Sequence, residues 1–471
     1  MHSVPAVPTT KVATRISGLD EVLEGGIPAE RLTLLMGGPG TGKTVLGLEF
    51  LVRCGQAGHP GVLLTFEETE AALRRIALSF GWNLADLEAR HRLALVSARI
   101  QPEAVLTGDF DLHGIVAMLS RKTEDIGART VFIDAPDVLL RLLNDVSKER
   151  AQLHVLSEWL SAKGLTALMT VKRDARYDFL EYAADCVICV DQRISEQVAT
   201  RRLRVSKYRG SSFSRNEYPF SITNAGVWII PVTRANLQHR ALGENIPTGV
   251  PGLDRILGGG FRRNSCSLVS GGSGTGKTTI VCSFVNSAIA KGERVLYLDF
   301  EESWDALVSC MESTGIDLRG AHDSGRLRFV SAMPEAKGIE EHLVQAFREI
   351  EDFEPTHLAV DAISACRRMG STHAAFDFLL RLIDHCKQRG ITSLLTNLTS
   401  AHEGKNEVTG LDLSSVIDTV IVLTNTEAGR RFVRTLAVLK SRGRAHSDRV
   451  HEFRITDHGI EFVDGEFRNA V

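Results

Sequence analysis

Gly37-Gly38-Pro39-Gly40-Thr41-Gly42-Lys43-Thr44 has the residue types and spacing to hold a polyphosphate. Glycines let successive backbone N–H groups converge on phosphate oxygens, and a helix N-terminus behind them adds partial positive charge. In this G-x-x-x-x-G-K-[ST] pattern the lysine reaches the β/γ-phosphates and the hydroxyl ligates Mg²⁺. Gly271-Gly272-Ser273-Gly274-Thr275-Gly276-Lys277-Thr278 has the same pattern. Each follows an apolar run, Leu32 to Met36 or Cys266 to Ser270, and precedes an apolar-periodic helical pattern; Val45 and Thr279, next after the hydroxyls, join the expected nucleotide-binding residues. A chance glycine-rich turn does not explain two matches in the same context.

Carboxylates follow at fixed distances. Thr65-Phe66-Glu67-Glu68 ends a strand-like run 24 residues after Lys43, and Asp299-Phe300-Glu301-Glu302 does so 24 after Lys277. Adjacent acids repel, so one holds its proton more tightly and can act as a base toward a nucleophile attacking the γ-phosphate. The plainer alternative is a pair of helix N-terminal acids favoured by the dipole. Val131-Phe132-Ile133-Asp134 and Leu358-Ala359-Val360-Asp361 are apolar runs ending in Asp, the Walker B pattern that binds Mg²⁺. Lys207-Tyr208-Arg209-Gly210 and Lys440-Ser441-Arg442-Gly443 each end an apolar run. A lysine and an arginine two apart share a strand face and could stabilise charge on a transferring phosphoryl group. A solvated strand end explains them too, and spacing does not tell whose nucleotide they would serve.

The elements that position these groups are written twice. Gly18-Leu19-Asp20 recurs as Gly252-Leu253-Asp254, an offset of 234 (252 − 18), and Lys43/Lys277 and Glu67/Glu301 share it. Asp134 and Asp361 are offset by 227, Lys207 and Lys440 by 233. The first copy therefore carries about seven extra residues, expected in Gln101 to Asp111, as a neutral surface loop or a partner-binding one. Two homologous domains follow, 1–236 and 237–471, joined near the polar stretch Arg234 to Asn245. Nearly continuous apolar runs (Gly61 to Phe66, Leu165 to Val171, Cys186 to Val190 and their second-copy partners) alternate with helical patterns. The expected class is α/β, a mainly parallel sheet flanked by helices in each copy.

Composition narrows the function. Of 471 residues, 43% are apolar, and 55 Lys+Arg face 58 Asp+Glu for a net charge of −3. That balance argues against a nucleic-acid coat or a polybasic membrane binder. No apolar run is long enough to span a membrane. Met1 to Thr10 lacks signal-peptide character, so a cytoplasmic location is expected. The eight cysteines read as reduced, packed thiols, Cys186-x-x-Cys189 included.

With these motifs in place the chain resembles the KaiC family of RecA-like P-loop ATPases over nearly its whole length. The resemblance rests on Ser17-Gly18-Leu19-Asp20 with Glu24-Gly25-Gly26, on Thr65-Phe66-Glu67-Glu68-Thr69, on Gly108-Asp109-Phe110-Asp111-Leu112, and on Glu217-Tyr218-Pro219-Phe220-Ser221-Ile222-Thr223. It implies two tandem RecA-like domains in a hexameric double ring. ATP sits at subunit interfaces, the first ring is the main ATPase, and the second is an autokinase. It implies that Lys207, Arg209, Lys440 and Arg442 contact a neighbour's nucleotide. Tyr208, Ser211 and Ser441 belong to the implied nucleotide set, with Ser79, Thr223, Arg434 and His446. Phe213, Thr314 and Asp448 depart from the family's residues at their positions.

Against the first copy's Leu180-Glu181-Tyr182-Ala183-Ala184 the second has Leu413-Ser414-Ser415-Val416-Ile417. Paired serines are ordinarily turn residues. The resemblance makes Ser414 and Ser415 the phosphoacceptors, Glu301 the base that takes the hydroxyl proton, and Arg368 a neighbour of the acceptors; Glu302 stays a candidate catalytic acid as the second member of the pair. It assigns Mg²⁺ to Thr44, Asp134, Thr278, Glu301 and Asp361. The chain stops 28 residues after Gly443 (471 − 443), so a docking tail for KaiA is expected to be missing; a KaiB-like partner stays open. The competing classes are a RecA-like nucleic-acid motor, disfavoured by the charge balance, and an ATP-cemented scaffold, disfavoured by Glu67 and Glu301.

Overall fold

The computed structural model describes residues 10–98, 112–137, 145–174, 177–195, 198–230, 239–369, 371–399, 415–429 and 431–463. The chain divides into two compact units, Met1–Arg234 and Ala235–Val471.

In the first unit a short ribbon, β1 (Lys11–Val12) with β2 (Ile27–Pro28), precedes a nine-stranded sheet. Its strands are β3 (Leu32–Gly37), β4 (Gly61–Thr65), β5 (Leu93–Ser97), β6 (Thr130–Asp134), β7 (Thr166–Lys172), β8 (Cys186–Ser195), β9 (Val198–Tyr208), β10 (Glu217–Thr223) and β11 (Gly226–Ile229). The order is β11-β10-β9-β8-β3-β7-β6-β4-β5. From β5 to β8 every pairing is parallel; β8 to β11 pair antiparallel. The second unit repeats this. A ribbon of β12 (Asn245–Ile246) and β13 (Phe261–Arg262) precedes β14 (Cys266–Gly271), β15 (Val295–Asp299), β16 (Leu327–Ser331), β17 (His357–Asp361), β18 (Thr392–Leu398), β19 (Thr419–Ala428), β20 (Arg431–Ser441), β21 (His451–Thr456) and β22 (Gly459–Phe462). Their order, β16-β15-β17-β18-β14-β19-β20-β21-β22, matches the first sheet strand for strand.

The parallel strands are apolar on both faces because helices cover both. β3, β4 and β6 are buried along their whole length. The helix Lys43–Gln56 buries Leu46, Phe50, Leu51 and Cys54 against them. Gly47 allows its close approach: a Cβ there would meet the Phe132 ring at 2.1 Å. The antiparallel extension was less legible. Of its strands the sequence reading marked only Leu203 to Val205 and its counterpart, while β9 runs over Val198–Tyr208. Arginines at 201, 202 and 204 interrupt the apolar signal there.

The offset is still 234 at Ser97 and Ser331 and has become 227 at the helices Leu112–Ile126 and Ile339–Phe353. The insertion thus falls between Ser97 and Leu112, and Gln101 to Asp111 lies outside the described residues. All eight cysteines are free thiols, and seven are buried, Cys186 and Cys189 among them; Cys310 is exposed, contrary to the expectation that all are packed. Among the described residues, no helix is long and apolar enough to cross a membrane.

Candidate functional site

The two glycine-rich loops lie between β3 and the helix Lys43–Gln56, and between β14 and the helix Lys277–Ala290. Gly42 and Gly276 cap these helices with φ of 96° and 101°. L-residues with a Cβ rarely adopt that conformation, so the loop depends on glycine there. Thr41 Oγ1 donates to the Gly38 carbonyl at 2.9 Å, and Thr275 Oγ1 to that of Gly272 at 2.8 Å, closing each loop on itself. Lys43 Nζ donates to the Gly37 and Gly38 carbonyls at 2.8 Å each; Lys277 Nζ donates to Gly272 at 2.8 Å. Burial lowers both lysine pKa values, opposed by nearby acids: Asp134, Asp137 and Glu67 for Lys43, Asp361 and Glu301 for Lys277.

Parallel register brings the acids together. Thr65 at the end of β4 lies opposite Asp134 at the end of β6, and Phe66 N–H donates to the Asp134 carbonyl at 2.9 Å. Asp299 lies opposite Asp361 in the same way, with Phe300 N–H on the Asp361 carbonyl at 2.8 Å. Glu67-Glu68 and Glu301-Glu302 thus leave their strands beside the buried aspartates. The helices that follow begin at once, because Thr69 and Ser303 accept from the N–H groups of Ala72 and Ala306. A capping hydroxyl of this kind satisfies one of the helix's unpaired donors.

Thr44 Oγ1 donates to Asp134 Oδ2 at 2.8 Å, and Thr278 Oγ1 to Asp361 Oδ2 at 2.8 Å. Thr170 on β7 donates to the other oxygen of Asp134 at 2.5 Å, and Thr396 on β18 does the same for Asp361. The sequence reading missed both threonines, though their offset of 226 (396 − 170) is a signal that self-comparison could have found. It also missed Tyr297, whose hydroxyl donates to Asp361 Oδ2 at 3.1 Å. Burial raises the Asp134 pKa, and the two threonine hydrogen bonds with Lys43 oppose it. Burial raises Glu67, and the neighbouring charges of Asp134, Asp137 and Glu68 add to that. Glu301 and Glu302 are raised by burial and by Asp361, with Arg368 and Lys277 opposing at Glu301.

This donor set fits a magnesium–nucleotide. The lysine ammonium and the loop's N–H groups would face the phosphates, and a hydroxyl and a carboxylate held 2.8 Å apart would face the cation. Among the described residues, no group of three or more His, Cys, Asp or Glu could hold a metal by itself.

The basic pairs converge on one turn in each unit. Lys207 Nζ donates to the Glu181 and Tyr182 carbonyls at 2.5 and 3.1 Å, and Arg209 Nη2 to Tyr182 at 2.9 Å. Lys440 Nζ donates to the Ile417 carbonyl at 2.7 Å, and Arg442 Nη2 to that of Ser415 at 3.0 Å. A bulge at Val187/Ile188, repeated at Val420/Ile421, shifts the register just before these cations. Ser415 is exposed, and Ser414 lies outside the described residues. Arg368 Nη2 reaches the Phe300 carbonyl at 3.5 Å.

The remaining expected positions scatter. Tyr208 is buried, its hydroxyl on the Gly26 carbonyl at 2.8 Å. Arg434 Nε donates to Gly274 of its own unit's loop at 3.1 Å. Ser79 ends its helix with its hydroxyl on the Ile76 carbonyl, Ser211 donates to the carbonyl of Ser212, and Thr223 bonds across a hairpin to Gly226. Ser441 accepts from Arg444, and His446 Nδ1 contacts the Ser447 carbonyl. Val45 packs at the edge of the first core, and Thr279 is buried in the second helix.

The KaiC ATPase family model matches residues 12–234 and again 246–466. The chain belongs to the KaiC family. It is 38% identical over 462 residues to the circadian clock protein KaiC2 of Synechocystis sp., covering 96% of this chain and 81% of that protein. It is 35% identical over 467 residues to the circadian clock oscillator protein KaiC of Synechococcus elongatus, covering 98% and 90%. With the KaiC3 of Synechocystis sp. it shares 33% over 470 residues, covering 98% and 93%. Both KaiC-type units carry a complete P-loop, Walker B aspartate and acid pair, as tandem RecA-like ATPase domains require.

Proposed function

We propose that this KaiC-family ATPase hydrolyses ATP in its first domain and phosphorylates its own serines in its second, as a homohexameric signalling or timing switch. The observation that carries the reading is the doubled site, in which Lys43, Thr44–Asp134 and Glu67 recur as Lys277, Thr278–Asp361 and Glu301 with the same 2.8 Å hydroxyl–carboxylate contact. Lys43 and Lys277, with the backbone of Gly38, Gly40, Gly42, Gly272, Gly274 and Gly276, bind the phosphates. Thr44, Asp134, Thr278, Glu301 and Asp361 would hold Mg²⁺, which when bound neutralises phosphate charge. Glu67 and Glu68 orient the attacking water. Glu301, beside Glu302, takes the proton of a serine hydroxyl. The site residues Lys207, Tyr208, Arg209, Lys440, Ser441 and Arg442 serve the nucleotide between subunits. Domains of 1–236 and 237–471 carry these two activities.

Ser414 and Ser415 are the acceptors. The Arg442 contact with the Ser415 carbonyl, which ties the acceptor segment to an interface cation, supports this. Phosphoserine charge there would bias the packing between subunits. The names of the relatives support a timing role. A KaiB-like partner, a cytoplasmic location and no nucleic-acid or membrane partner complete the reading.

Incubation with γ-³²P-labelled ATP tests it. Wild type takes up label, the Ser414→Ala/Ser415→Ala double variant does not, and Glu301→Gln suppresses labelling while phosphate release by the first domain continues. Label persisting in the double variant overturns the acceptor assignment.

A further inference from the structure

The two units hold the same acid pair by different means. In the first, Thr65 Oγ1 accepts from Glu68 N–H at 3.1 Å and Ser97 Oγ donates to the Glu68 carbonyl at 3.2 Å, while among the described residues no side chain takes the Glu67 N–H. In the second, β15 ends in Asp299, whose Oδ1 accepts from Glu301 N–H at 2.8 Å and from Glu302 N–H at 2.6 Å. Asp299 is 2% exposed. Two residues earlier on the same strand face, Tyr297 donates to Asp361. The first unit has Leu63 at that position. Neither polar residue is needed to build the strand, since Leu63 and Thr65 fill the matching places in β4 and are equally buried. Burying a fourth carboxyl group beside Asp361, Glu301 and Glu302 is costly unless it is well hydrogen-bonded. Here both bonds go to the backbone of the acid pair and none to the rest of the fold among the contacts described.

The two units differ in what the acids would act on. Water is small and reaches a base from many directions. A serine hydroxyl on a chain segment arrives along one path, and misplacing a reacting group by about 1 Å costs on the order of 10²-fold. A base that serves a tethered hydroxyl therefore needs a fixed backbone.

We propose that Asp299 is a positioning residue of the second unit: it locks the Glu301–Glu302 peptide so that the acid pair serves a tethered hydroxyl, with Tyr297 bracing Asp361 on the same strand. This rests on the reading of Glu301 and Glu302 as the reacting acids.

Full-length wild type, Asp299→Ala and Asp299→Asn are compared in two measurements. The first is hydrogen–deuterium exchange of peptides covering Glu301 and Glu302. The second is labelling from γ-³²P-ATP, with its ATP dependence. Asp299→Ala should speed exchange and cut labelling about tenfold or more, with KM for ATP little changed. Asp299→Asn keeps the accepting oxygen and should restore both to within about threefold of wild type. Unchanged exchange in Asp299→Ala overturns the positioning role. Faster exchange with undiminished labelling overturns its functional consequence. Asn behaving like Ala shows that charge, not backbone capture, is what matters, and also overturns it. If wild type takes no label, the kinase reading of Glu301 fails and with it the tethered-hydroxyl part, while exchange still decides whether Asp299 holds the pair.

Discussion

Lys387 Nζ lies 2.8 Å from Asp418 Oδ2 with both side chains buried, and the same ammonium donates to the Val416 carbonyl at 2.7 Å. Asp418 also accepts from Cys266 N–H at 2.9 Å and stands 3.4 Å from Arg442. Among the described residues the first unit shows no such clamp. Its helix ends in the same turn, but Ser161 occupies the matching position and Asp185 comes no nearer to Arg209 than 4.0 Å. Removing one partner of a buried pair leaves an uncompensated charge. Lys387→Met should therefore cost about 3–5 kcal/mol, and adding Asp418→Asn should recover part of it. Urea denaturation of the three proteins measures both effects. Equal stability of Lys387→Met and wild type would show the pair to be neutral.

Thr170 and Thr396 hold the second oxygen of each Walker B aspartate. Thr170→Val and Thr396→Val keep the shape and remove the donor. Groups that orient a metal-binding carboxylate typically contribute about 10–100-fold in metal affinity or activity. Thr170→Val should raise the Mg²⁺ concentration needed for phosphate release, and Thr396→Val the concentration needed for labelling. A Mg²⁺ titration of each activity checks this, and unchanged midpoints would remove the threonines from the site.

Gly47 is where the P-loop helix meets β6. Gly47→Ala places a methyl 2.1 Å from the Phe132 ring, which is itself fully buried. Overpacking of this kind costs about 1–3 kcal/mol. Gly47→Ala should lower the denaturation midpoint, and Phe132→Leu in the same chain should relieve it. Failure of the second substitution to help would place the strain elsewhere.

Glu293 titrates where acid stability can be followed. Burial pushes its pKa up, but the Arg263 hydrogen bonds at 2.8 and 3.3 Å and the neighbouring His357 outweigh this and bring it from 4.5 to about 2. The unfolded chain then takes the proton first as pH falls. The stabilisation is fully present above 4.5 and is lost as pH falls through about 2. Glu293→Gln should be less stable than wild type at neutral pH, with the gap closing over that window. A gap that is constant down to pH 2 would contradict the assignment.

The repeat, both P-loops, both acid pairs and the Walker B aspartates were legible as residue types at fixed spacing. Local chemistry dictates them: glycine where φ is positive, a lysine and hydroxyl at a helix start, an acid where an apolar strand ends. The parallel half of each sheet was legible for the same reason, because strands buried on both faces are written as apolar runs. What the sequence left open depends on pairing between distant segments. Register across β4 and β6 puts Glu67 beside Asp134, and β7 supplies Thr170 from 36 residues away. The copies also diverge through contacts, not motifs. Tyr297 and Asp299 read as ordinary strand residues, and Lys387 as an ordinary helix lysine, until the tertiary structure buries them against Asp361, the Glu301–Glu302 backbone and Asp418. Burial gives a polar group its energetic weight, and only the folded chain decides which polar groups are buried.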